Sequence, residues 1–246
     1  MAQKIAHGVH SMDDGSIITF PYDDAFDWSR RGFIPPNVAI HQVDIAAVQQ
    51  FPIGTKLVRD DSVYRYCEYG GTTAAGDIIQ AEAPDGAHDD GDWGVNAIGT
   101  TSLTATTSLT LIENEYAGGF MCVENDTGEG YLYRVLSNTA VAGAVGGVIV
   151  LQAPGLAVAT DATSDVKLVK SRFQEVIQMP TTVTGMLVGA GLGVGANGSF
   201  GWVQTRGPAA VLTDGTVVIG QHVRASDGTA GSVEALDRDG SAEDEP

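Results

Sequence analysis

No stretch of this chain repeats apolar residues at the spacing a long amphipathic helix requires, and 32 glycines interrupt its 246 residues. Glycine weakens the interior of regular elements and serves best where the backbone turns tightly. A chain so punctuated folds as short strands joined by many turns, so the expected class is mainly β. Apolar residues make up 43% of the sequence, enough for a real core at this length and too many for a disordered chain. The expected architecture is small β-barrel or β-sandwich units behind an extended N-terminal arm.

Four segments are expected. Residues 1–38 form the arm: FPYDDAFDWSRRGFIPP sets Phe20, Tyr22, Phe26, Trp28 and Phe33 close together without a clean period, and Pro35-Pro36 breaks any regular element. Residues 39–178 form the main β-rich domain. Within it IGTKLVRDDSVYRYCEY predicts a hairpin turning at Asp60-Asp61, and GGFMCVENDTGEGYLYRV predicts one turning at Asn125 to Gly130. GGVIVLQAPGLAVAT predicts another around Pro154-Gly155. In TTSLTATTSLTLI, residues 100–112, Leu103, Leu109 and Leu111 share one parity, which predicts a strand with its apolar side inward. Residues 161–179 read as strands or a bridging segment, with a short helix from Ser164 as the weaker reading. Residues 179–236 form a C-terminal β unit with strands at Met186–Ala190, Phe200–Thr205, Ala209–Leu212 and Thr216–Ile219, the last two turning at Thr213-Asp214-Gly215-Thr216. Residues 237–246 are an acidic tail.

Thirty-one acids against 13 bases give a formal charge of -18. That balance excludes nucleic acid and anionic membranes as expected partners, because both are bound through Lys and Arg. The N-terminus lacks the apolar core of a signal peptide, and AVAGAVGGVIVL is too short and glycine-rich to span a bilayer. Cys67 and Cys122 read as buried free thiols, with a single bridge as the alternative.

The search for chemistry returns no catalytic, cofactor-binding or metal residues, and the chain is not expected to be an enzyme. His7, His10, His41, His88 and His222 show no metal-ligand spacing. Asp85, Asp89, Asp90 and Asp92 crowd one loop, which reads as an ordinary solvated turn, with calcium as the alternative. GAGLGVGANG, from Gly189, lacks the helix and the lysine that a phosphate loop needs. Ser164 with Asp165, or Ser199 with His222, lack the nucleophile elbow of a hydrolase.

The segment FGWVQTRGPAAVLTDG places Phe200, Trp202 and Gln204 on one side of a strand and Val203 and Thr205 on the other, with Trp202 read as core. The longer run VQTRGPAAVLTDGTVVIGQHVRASDGTAGSVE resembles the terminal region of capsid decoration, or cement, proteins of tailed bacteriophages, through Trp202, Gln204, Thr205, Gly207, Gly220, Val223, Ser226 and Gly231. The segment YLYRVLSNTAVAGAVGGVIVLQAPGLAVATDATSDVKLVKSRF adds a less specific likeness to phage structural proteins. Arg206 departs from the pattern, standing where many relatives carry a bulky residue. The resemblance implies a β-rich structural protein on the outer capsid surface of the virion, bound to the major capsid protein as a homo-oligomer, with a trimer favoured. The alternative is a host-surface or glycan-binding adhesin module, with Tyr22, Trp28 or Trp93 as exposed stacking groups.

Overall fold

Two compact units, each with its own sheet, account for the computed structural model, which describes residues 9–11, 16–20, 43–88 and 91–236. Among them the chain is essentially all β, broken by one turn of 3-10 helix at Gly86–His88. One unit contains Pro84–Ser171; the other joins chain from before Pro84 to chain from after Ser171.

The discontinuous unit is built on an eight-stranded antiparallel sheet. Its strands are β1 (Val9–Ser11), β2 (Ile17–Thr19), β3 (Lys56–Arg59), β4 (Ser62–Glu68), β5 (Ile78–Gln80), β14 (Ile177–Gln178), β15 (Leu187–Gly191) and β16 (Phe200–Arg206). They run in the order β1-β2-β3-β4-β16-β15-β5-β14. The alternation of SVYRYCE explains its centre. Tyr64 and Tyr66 point to one face, where Leu57, Trp202 and Phe51 meet them, and Cys67 joins Val203, Ile79 and Val176 on the other. Both faces are therefore covered, and each fully buried large apolar side chain contributes about 1.5–3 kcal/mol. The β3–β4 hairpin turns where expected, with Asp60 at φ 49° and Arg59 paired to Ser62. A small ladder of β17 (Val223–Ala225) and β18 (Val233–Ala235) lies in the same unit.

The other unit carries a six-stranded antiparallel sheet, β6 (Gly91–Asp92), β13 (Asp165–Val169), β9 (Phe120–Val123), β10 (Leu132–Asn138), β12 (Val148–Leu151) and β7 (Ser102–Thr104), in that order. A two-stranded ladder of β8 (Leu109–Leu111) and β11 (Val141–Ala144) accompanies it. The sheet's far ends return towards each other, since the Asp92 carbonyl beside β6 accepts the Thr106 N–H just beyond β7, at 2.9 Å. The sheet curls round a single core that includes Leu103, Leu109, Leu111, Met121, Val135 and Ile149. The β9–β10 hairpin forms as expected, with Leu132 opposite Cys122 and Asp126 in the left-handed region.

Within 161–179 the strand reading holds over the helical one: in β13 Val166 and Leu168 are buried with a period of two. Several expectations are corrected. The one strand expected over 100–112 is two, β7 and β8, which pair in different ladders. No hairpin forms about Pro154-Gly155, because β12 pairs with β10 and β7 while the Leu156 N–H goes to Thr100. Ala209–Leu212 and Thr216–Ile219 are not strands. The backbone between them is claimed elsewhere: the Leu212 N–H donates to Gly76 and the Asp214 N–H to Val233. The large sheet draws strands from both sides of residue 178, where β15 pairs with β5 and β16 with β4. Within the expected arm, residues 9–11 and 17–19 are strands that pair with each other and, through β2, with β3. Tyr22, Phe26, Trp28 and Phe33 lie outside the described residues, as does the acidic tail 237–246.

Candidate functional site

The stretch that carries the sequence pattern is half strand and half strap. Phe200 to Arg206 is β16, with Trp202 only 1% exposed and packed against Phe51 and Tyr66 at ring-centroid distances of 5.4 and 5.1 Å. Gln204 is buried beside the end of the strand and terminates it. Its side-chain Nε2 donates to the carbonyls of Arg206 and Pro208 at 3.2 and 2.7 Å, bending the chain off the sheet at Gly207, whose φ is 92°. From there to Gln221 the backbone forms no strand, and it sets Val218 and Ile219 in solvent, the latter wholly exposed.

The strap is held at its middle, where a buried hydroxyl adds to the backbone bonds of Leu212 and Asp214. Ser226, 2% exposed, donates to the Asp214 carboxylate at 2.7 Å and accepts the N–H groups of Gly228 and Thr229. Side-chain hydrogen bonds to the carboxylate, from Ser226 first and Thr229 second, hold the Asp214 carboxyl below the usual carboxylate range. Arg224 adds ion pairs to Glu234 at 2.7 Å and Asp227 at 3.2 Å. The patterned residues thus shape a surface: Trp202 anchors the strand, Gly207 and Gly220 take positive φ along the strap, and Ser226 pins it.

Among the described residues, the side chains weighed for chemistry are engaged in local structure. Ser199 donates to the Ala196 carbonyl and closes a local turn, while Ser164 donates to the Thr127 carbonyl of a segment distant in sequence. His88 is buried and spends its ring nitrogens on Tyr116 and the Thr110 carbonyl. Asp92 accepts the Gly94 N–H, while Asp89 and Asp90 lie outside the described residues, as do His7 and His41. Among the described residues no three His, Cys, Asp or Glu side chains converge in a way that would hold a metal ion. Both cysteines are free, which removes the single-bridge alternative, and burial pushes the Cys67 thiol well up, away from the reactive thiolate. Trp93 is 2% exposed and belongs to the core of its unit, so it cannot serve as a stacking platform for a sugar.

One exposed carboxylate is tuned by its neighbours. Asp161 is held down to about 2 by the Thr127 hydroxyl first, and then by the hydroxyl and N–H of Thr163. A carboxyl depressed in the folded state adds stability above its unfolded value near 3.8 and loses it as pH falls towards 2. Carbon-detected NMR titration should place the Asp161 midpoint near 2, and Thr127→Val should raise it towards 3.8. A wild-type midpoint already at 3.8 would show that the hydroxyl bonds do not persist in solution.

Sequence reasoning missed the exposed pair Val218-Ile219, because the β-branched run TVVIG reads as a strand, whereas the preceding Leu212 and Asp214 bond to Gly76 and Val233 instead of forming a hairpin with it. No family model, curated protein or solved structure matches the chain.

Proposed function

We propose that this chain is a structural virion protein that binds the outer surface of a phage capsid and reinforces contacts between capsomers. The observation that carries this reading is the strap from Gly207 to Gln221. It leaves a rigid sheet at the patterned run resembling decoration proteins, and it presents Val218 and Ile219 to solvent. Apolar side chains displayed on a pinned loop suit burial against another protein, and area covered across a seam is what reinforcement needs. In this reading each unit acts as a small barrel or sandwich, and residues 1–38 work as an arm against the capsid or a neighbouring copy.

The partner is the major capsid protein, and a cyclic homo-oligomer, a trimer by preference, sets identical straps round one axis. The acidic balance keeps decorated particles apart in solution. The adhesin alternative lost its one described stacking group when Trp93 proved buried. The test is to mix the purified protein with undecorated cognate shells and weigh what sediments. Saturable uptake is expected, reduced when Val218 and Ile219 are both changed to Ser. An intact cognate shell that takes up none overturns the reading.

A further inference from the structure

We propose that Arg65 and Arg172, both set against the ring of Phe173, form a docking site for carboxylate side chains on the surface of a partner protein. Arg65 is far in sequence from the adjacent Arg172 and Phe173, and the fold brings them together within the discontinuous unit. The Arg65 Cζ lies 5.4 Å from the Phe173 ring centroid and the Arg172 Cζ 4.8 Å from it. Lys56 stands directly opposite Arg65 in the β3–β4 register, so its side chain leaves the same face. Like charges placed opposite each other destabilise a sheet. This cluster therefore runs against the stability of the free chain.

The guanidiniums are oriented but not saturated. Arg65 donates through Nη1 to the Gly54 carbonyl at 2.9 Å, and Arg172 reaches only the Met186 sulfur, at 3.9 Å. A guanidinium has five N–H donors in a fixed fork. Among the described residues the ion pairs lie elsewhere, on His88, Lys167, Lys170 and Arg224, and none reaches Lys56, Arg65 or Arg172. With 31 acids for 13 bases, a nearby carboxylate would be easy to supply, yet among the described residues none is ion-paired with this cluster. Burial first, and the charge of Arg172 second, lower the proton affinity of Arg65. An incoming carboxylate relieves that repulsion and accepts two parallel N–H bonds from a fork. Met186, beside Arg172, and the following Leu187 are both exposed, and Arg and Met are residue types enriched at protein interfaces.

Charge also selects the kind of partner. The summed field of a chain at -18 repels nucleic acid and anionic membranes at long range. A carboxylate on a protein surface meets the site at short range, where the local cations dominate. The inference goes beyond the capsid reading and does not depend on it.

The experiment uses the intact protein and no shell. Arginine Nε–Hε NMR signals are followed while a blocked Glu-Gly-Glu peptide is added at low salt, with a Gln-Gly-Gln peptide and inorganic phosphate as parallel arms. Saturable shifts at Arg65 and Arg172 are expected with the Glu peptide alone. Affinity should fall about tenfold or more in Arg172→Gln, a loss of roughly 1.4 kcal/mol, and stay unchanged in Lys170→Gln. Should Arg172→Gln not fold, Arg172→Lys keeps the charge but loses the fork, and a severalfold weakening is expected. Equal binding of the Gln peptide, or full affinity in the Arg172 variants, overturns the proposal. Phosphate binding at least as tightly makes it a small-anion site instead. A concentration-dependent dimer abolished by Arg172→Gln assigns the patch to a second copy and likewise overturns a separate partner.

Discussion

Trp202→Ala should cost the protein about 3–5 kcal/mol, the range for deleting a fully buried aromatic. Trp202 sits on the strand in the middle of the eight-stranded sheet, 1% exposed, against Phe51 and Tyr66. Removing the indole leaves a cavity beside the Phe51 and Tyr66 rings, and Tyr66 is fixed in the ladder directly opposite position 202, so collapse cannot fill it. Whole domains are stable by only about 5–15 kcal/mol, so this one change takes a large part of the margin. Urea unfolding followed by far-UV circular dichroism reads the loss as a lower midpoint at similar slope. A change below about 1 kcal/mol would mean that Trp202 is a surface group and that the sheet is not packed as described.

Gly189→Ala should cost about 3 kcal/mol, the upper end for overpacking. A Cβ built on Gly189 falls 2.1 Å from the carbonyl oxygen of Gln204 and 2.9 Å from its carbonyl carbon. Neither is the end of a flexible side chain, so β15 and β16 must move apart at the register where Ala190 faces Gln204. The same strain pulls on Gln204, whose amide terminates β16 and starts the strap. Thermal unfolding should show a drop of several degrees. A melting temperature unchanged within about a degree would show that the two strands do not approach as closely as drawn.

What could be read in the chain beforehand was local. The Asp60 and Asp126 turns, the inward parity of Leu103, Leu109 and Leu111, and the sidedness of Trp202 against Val203 follow from alternation and turn chemistry a few residues wide. What escaped depends on distant partners. Thr213-Asp214-Gly215-Thr216 has the composition of a hairpin turn, but Val233 and Ser226 claim its backbone and side chain. Trp93 sits in an acidic loop text that suggests exposure, and it is buried by strands that follow it in the chain. The Arg65, Arg172 and Phe173 cluster could not be found from spacing, because more than a hundred residues separate the first from the others.

The sheet built from both flanks of Pro84–Ser171 has a consequence for how a ribosome delivers this protein. The stretch between those points carries its own core and can close as soon as it has emerged. Strands β3 and β4 are made much earlier, yet β4 has no outer neighbour until β16 is complete at Arg206. Pairings across such long spans are slow, and an unfinished edge invites foreign strands. Completion of β16 is therefore the step that ends this edge's vulnerability, and truncations before Arg206 should accumulate as aggregates, with the middle unit already folded inside them.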